Sequence, residues 1–202
     1  VCDASRNVIR LYTEHGADFD KQRDRSLVEK TWLDRFTSLL PDGGSILDLG
    51  CGSGEPIAGY LISKGYDVSG IDASMPLIAL CRGRFPANFW AVADMRELGL
   101  GRRFDGLIAW HSFFHLKPDD QRRMFDVFHL HANERAALMF TAGPEHGEAL
   151  GTLRGEPLYH ASLSREEYEG LLRAHGFRLL DQVSSDPQWG GTTIYLARRV
   201  VS

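Results

Sequence analysis

The chain has 202 residues, 43% of them hydrophobic and 25% charged, enough for one sizeable core in an ordinary globular protein. A net charge of −4 argues against a protein that tracks a nucleic-acid backbone, which needs a strong basic patch. Three cysteines without CxxC spacing and eight scattered histidines give neither a disulfide framework nor a metal site. No apolar run reaches bilayer length and no signal-peptide pattern opens the chain, so the expected setting is the cytoplasm.

In chain order, residues 4–15 and Ser26–Leu40 read as two helices, the second with apolar Leu27, Val28, Leu33, Phe36, Leu39 and Leu40. From residue 45 strand and helix alternate, which predicts a parallel sheet with helices on both faces. The strand segments are 45–50, 66–71, 89–93, 104–110 and 135–141; helices fall at 56–64, 75–84 and 119–131. Ser74 reads as a hydroxyl cap for the helix that follows it. Residues 142–163 form a long connection of the kind that serves as a lid over a site. Ser164-Arg-Glu-Glu opens a last helix with a capping box, and Gly176 stops it. Strands at 177–184 and 191–198 flank the turn-rich Asp186–Gly191 as an antiparallel hairpin.

Ser45–Leu49 runs straight into Gly50-Cys51-Gly52-Ser53-Gly54, and Pro56 opens the helix behind it. Strand, glycine loop and helix in that order bind a nucleotide cofactor at the carboxyl edge of a parallel sheet. The dinucleotide fingerprint G-x-G-x-x-G/A requires a small residue where Glu55 stands, which counts against a nicotinamide dehydrogenase. Asp72, ending the second strand, suits the acid that accepts ribose hydroxyls, or else a cap on the next helix.

The run Leu47-Asp48-Leu49-Gly50-Cys51-Gly52-Ser53-Gly54 resembles motif I of the class I S-adenosylmethionine-dependent methyltransferases. Asp72, then Ala93-Asp94-Met95, then Phe104-Asp105-Gly follow in the family's order. The resemblance is strong over residues 40–140 and topological beyond. It implies a Rossmann-like α/β fold with a seven-stranded, mostly parallel sheet, an antiparallel last strand and helices on both faces. One domain would comprise a helical cap at 1–40, a cofactor-binding core at 41–141, a substrate lid at 142–163, and a C-terminal helix and hairpin at 164–202.

It also implies S-adenosyl-L-methionine as cofactor, held by Asp48, Gly50, Cys51, Gly52, Ser53, Gly54, Asp72, Ala73, Asp94, Met95 and Trp110. Cys51 reads as a small filler rather than a nucleophile. Asp94 would accept from the adenine amine, Met95 would wall the ring, and Asp48 would lie near the methionine amino group. The methyl group would point at Trp110–His115, with His111 as the candidate general base and His115 as architecture. Tyr12, Tyr159, His160 and Arg154 are the candidate substrate contacts, and Phe19 and Arg23 would help close the N-terminal segment over the cofactor.

The [DNS]-P-P-[YFW] motif of DNA and protein-glutamine amino-methylating enzymes, the Pro-Cys nucleophile of C5 enzymes and the paired-glutamate loop of arginine enzymes are all absent. The trans-aconitate and ubiquinone/menaquinone-type relatives look closest. The expected function is methyl transfer to O, N or S of a small molecule, by a monomer or homodimer without nucleic acid, membrane or metal. The alternatives are a cofactor-binding, non-catalytic partner subunit and an aminopropyl-type transferase.

Overall fold

The computed structural model describes residues 2–186 and 192–201. A seven-stranded sheet is built from β1 (Ser45–Leu49), β2 (Asp67–Asp72), β3 (Phe89–Val92), β4 (Phe104–Ala109), β5 (Ala132–Ala142), β8 (Phe177–Asp186) and β9 (Thr192–Arg199), in the order β3-β2-β1-β4-β5-β9-β8. The first five strands pair in parallel, and β9 runs antiparallel between β5 and β8. After β1 the chain moves outward to β2 and β3, then returns to β1's other side as β4. That reversal opens a crevice at the carboxyl ends of β1 and β4, where open α/β sheets take their ligands.

Successive strand residues serve opposite faces, so both faces are apolar. Ile46, Ile108, Met139 and Leu196 pack beneath α2 (Lys30–Thr37), α3 (Ile57–Ser63) and α4 (Met75–Arg84). Their neighbours Leu47, Leu107, Leu138 and Ala197 pack beneath α5 (Pro118–His131) and α6 (Arg165–Ala174). Strands buried on both sides explain the near-continuous apolar runs of the central segments.

The N-terminal elements depart from the sequence reading. α1 spans Cys2–Gln22 and passes through Gly16, where a Cβ would lie 2.9 Å from Leu77 Cγ on α4. Glycine there permits close packing and does not end the helix. α2 is shorter than Ser26–Leu40, because Asp24 accepts from the Ser26 N–H at 2.8 Å and from its hydroxyl at 2.7 Å, and Leu27 takes φ 53°. The Ser74 hydroxyl donates to the Tyr12 carbonyl at 3.0 Å instead of capping α4, so it anchors α1.

The long connection is itself a hairpin, β6 (Gly147–Leu153) against β7 (Glu156–Ser162). Its two-residue turn, Arg154-Gly155, has φ of 54° and 84°, the left-handed pair that matches the twist of a tight hairpin. Glu156 on β7 accepts from Arg10 at 2.6 Å and faces His15 at 3.3 Å, fixing the hairpin to α1. Ser164 caps α6 by accepting from the Glu167 N–H at 3.2 Å, while the Glu167 carboxylate turns to Arg122 at 2.6 Å. Of the turn Asp186–Gly191, residues 187–191 lie outside the described residues. No helix among the described residues is long and apolar enough to cross a membrane.

Candidate active site

The segments that follow β1, β2, β3 and β4 meet under a roof made by α1 and β7. Together they enclose a cavity of about 720 Å³, the size range of small-molecule sites. Gly50 and Gly52 form its floor. Gly50 has φ +77° and its Cβ position lies 2.3 Å from Ser112 Cβ, so only glycine lets the loop pass the segment after β4. Gly52 has φ +56°, and a Cβ there would meet nothing nearer than Arg23 Nη1 at 3.9 Å. The loop thus presents bare backbone to an open volume, as a closely approaching ligand requires.

Asp72, Ala73, Asp94, Met95, Trp110 and His111 line this volume, together with Tyr12 and His160 from the roof. The Asp72 carboxylate accepts from the Gly52 N–H at 2.9 Å and the Ser74 N–H at 2.8 Å. Burial raises its pKa, and those two N–H groups partly offset the rise. Asp72 thus braces the start of α4 and at the same time lines the cavity.

The Asp94 carboxylate is gripped by its own neighbour. Arg96 Nε donates to its two oxygens at 2.9 and 3.0 Å, Arg96 Nη2 also donates to Oδ2, and the Arg96 main-chain N–H adds a fourth bond at 3.0 Å. The Arg96 guanidinium holds the Asp94 pKa below the usual carboxylate range. An incoming amine would share an acceptor already mostly used.

Asp48, on β1, is buried at 3% exposure. Burial pushes its pKa up to about 7, against the nearby Arg23 charge and with help from Asp72.

Cys51, Ser53, Gly54, Asp48, Tyr159 and Arg154 do not line the cavity. Cys51 is buried behind the loop, where its Sγ lies 2.9 Å from the Cβ position of Gly70. The Ser53 carbonyl accepts from Arg84 at 3.1 Å, and Gly54 backs onto Phe85. Cys51, Ser53 and Gly54 are turned to these packing partners, which is why only Gly50 and Gly52 of the five reach the cavity. Tyr159 is fully buried and offers its carbonyl to His115 Nδ1 at 2.8 Å. Arg154 lies at the hairpin turn, 3.6 Å from Asp18 on α1.

His111 follows β4 with φ 51°, and its N–H donates to Thr141 Oγ1 at 2.8 Å. Its ring opens on the cavity, yet the surrounding walls and the Arg23 charge pull its pKa down to about 4. That shift favours the neutral imidazole. His115 is also drawn down to about 4, chiefly by burial. The roof adds residues that the sequence did not single out, notably Arg6 and Ile9 on α1. Only the amphipathic face of α1 signalled them.

Residues 46–134 match the family model described as "Methyltransferase domain". The chain is 35% identical over 110 residues to the dTDP-3-amino-3,6-dideoxy-alpha-D-glucopyranose N,N-dimethyltransferase of Streptomyces fradiae, covering 54% of this chain and 42% of that one. It is 30% identical over 79 residues to the dTDP-3-amino-3,4,6-trideoxy-alpha-D-glucopyranose N,N-dimethyltransferase of Streptomyces venezuelae, covering 39% of this chain and 33% of that one. The aligned stretch thus spans well under half the length of these curated relatives. Among solved structures, the fold is similar to the 1,6-didemethyltoxoflavin-N1-methyltransferase of Burkholderia thailandensis, with a TM-score of 0.76 at 19% identity, covering 99% of this chain and 89% of that one. The residues matched by the family model, 46–134, run from β1 past the end of α5.

Proposed function

We propose that the protein is an S-adenosylmethionine-dependent methyltransferase that transfers a methyl group to O, N or S of a small molecule. The observation that carries this reading is the open volume over Gly52 with Asp72 at its border. A ribose suits that place, because the Asp72 carboxylate keeps acceptor sites beyond those used by Gly52 and Ser74. Met95 supplies a soft apolar wall for a base. Arg23, beside Gly52 on the cavity wall, suits a carboxylate. The methionyl end of the cofactor carries such a group.

When bound, the cofactor supplies an activated methyl group: the acceptor's lone pair bonds to the methyl carbon while the S–CH3 electron pair stays on sulfur. The chain's own residues then have two tasks. The cavity walls hold acceptor and methyl group in line and exclude water. Neutral His111, at the end of β4, takes the proton that an O–H or N–H acceptor loses. The relatives named for methylation of dTDP-amino sugars, and the toxoflavin-type neighbour, support a small-molecule acceptor. We place the protein in the cytoplasm, as a monomer or homodimer that needs neither nucleic acid nor membrane.

Calorimetric titration with S-adenosylhomocysteine tests the cofactor, and release of that product in the presence of acceptors tests turnover. Saturable binding that is lost in Gly52→Val is expected, since a β-branched side chain fills the open volume. Absence of binding by the wild-type protein would overturn the reading.

A further inference from the structure

Six rings make one unbroken wall of the cavity: Trp110, His111, Phe114, His160, His115 and Tyr12. Trp110 stacks on His111 with centroids 5.6 Å apart and planes 18° apart. His111 then meets Phe114 at 5.7 Å, Phe114 meets His160 at 5.3 Å, His160 meets His115 at 4.7 Å, and His115 meets Tyr12 at 5.6 Å. From this sleeve we infer that the methyl acceptor is a flat, uncharged aromatic or heteroaromatic molecule bearing a ring N–H or phenolic O–H. The inference rests on the methyltransferase reading and names the substrate class of that same site.

Three observations support it. First, the sleeve offers π faces and edges, and planar rings gain from offset or edge-on contacts with such walls. Second, it offers acceptors for a donor on the ligand. The Tyr159 carbonyl can only accept, so His115 carries its proton on Nδ1 and leaves Nε2 to receive the Tyr12 O–H, 3.2 Å away. The Tyr12 oxygen then has lone pairs free for a donor, and neutral His111 has a free ring nitrogen. Third, the ring wall itself offers a cationic acceptor no anionic partner. None of the six residues is a carboxylate, and the nearby Asp120 is already engaged by Arg123 and lies 3.5 Å from Arg96. The Arg23 field that disfavours a proton on His111 equally disfavours an ammonium group beside it. The proton lost as the new bond forms goes from the acceptor's N–H or O–H to His111, so charge balances without an added reactant.

The test is equilibrium binding to the protein saturated with S-adenosylhomocysteine, using 8-hydroxyquinoline, benzimidazole, choline and dTDP-3-amino-3,6-dideoxyglucose as probes. At least one aromatic probe is expected to bind more tightly than choline and the amino-sugar nucleotide. Phe114→Ala and His160→Ala, both at half-buried positions, should weaken that probe about tenfold and leave S-adenosylhomocysteine affinity near wild type. Tighter binding of either non-aromatic probe, or aromatic binding indifferent to both substitutions, would overturn the inference while the methyltransferase reading stands. Failure of S-adenosylhomocysteine itself to bind would remove both.

Discussion

Asp72 is tied to Gly52 and Ser74 through main-chain N–H groups, so its removal strips a ligand contact and a loop brace together. Asp72→Ala should lower S-adenosylhomocysteine affinity by about 1.5–3 kcal/mol, read by calorimetry, with a small drop in Tm. Asp48 behaves differently, because its folded pKa of about 7 lies above that of an unfolded carboxylate. The folded state therefore holds the proton more tightly. The contribution is least unfavourable below about pH 4, and stability falls as pH rises from there to 7. Above that the penalty, on the order of 4 kcal/mol, is fully present. Asp48→Asn should flatten this slope in urea unfolding between pH 4 and 8 and be more stable than wild type at pH 8. For His111 the informative substitution is Asn, which tolerates the left-handed backbone at φ 51°. Turnover should fall about 10²-fold, and the wild-type rate should drop as pH falls through about 4, where the imidazole gains a proton. A limb near 6.5 would contradict that assignment.

α1 is fastened at its far end by Asp20, buried at 4% exposure, to which Arg84 donates at 2.8 and 2.5 Å. The same guanidinium donates to the Ser53 carbonyl, so one side chain joins the roof helix to the glycine loop. Asp20→Asn should cost roughly 3 kcal/mol of stability by leaving Arg84 half-paired. It should also weaken S-adenosylhomocysteine binding, because Arg23 begins just past that anchor; a denaturation curve and a titration read the two effects. The elements that build this roof were the least legible in the sequence. Gly16 looks like a helix stop until Leu77 is seen against it, and Leu27 looks helical until Asp24 captures Ser26. Both depend on partners outside the local pattern. Arg154-Gly155, by contrast, is a readable two-residue turn, and its alternating flanks carried the hairpin that the long-connection reading passed over. At the site, the carboxylates were legible because strand ends place them. The gripping of Asp94 by Arg96 and the ring sleeve were not, since they arise from side chains meeting across elements.

Across the whole molecule the sheet was the most legible part, because strands buried on both faces leave runs such as Ala136–Phe140 that no surface element would carry. Roof and floor come from different stretches of chain, so ligand binding should tighten both together. S-adenosylhomocysteine is expected to slow hydrogen exchange in α1 and in β6–β7, with little change in β4 and β5; equal exchange with and without it would contradict a closing roof. The antiparallel β9 has a further consequence for how the molecule is made. It is the late-synthesised strand that pairs with β5, whose Met139 and Phe140 are fully buried, and it separates β5 from β8. Until residues 192–199 have left the ribosome, β5 presents an open apolar edge, and an unpaired edge of that kind recruits other chains. Nascent chains stalled before Thr192 should therefore bind trigger-type chaperones or aggregate, whereas those released after Arg199 should not.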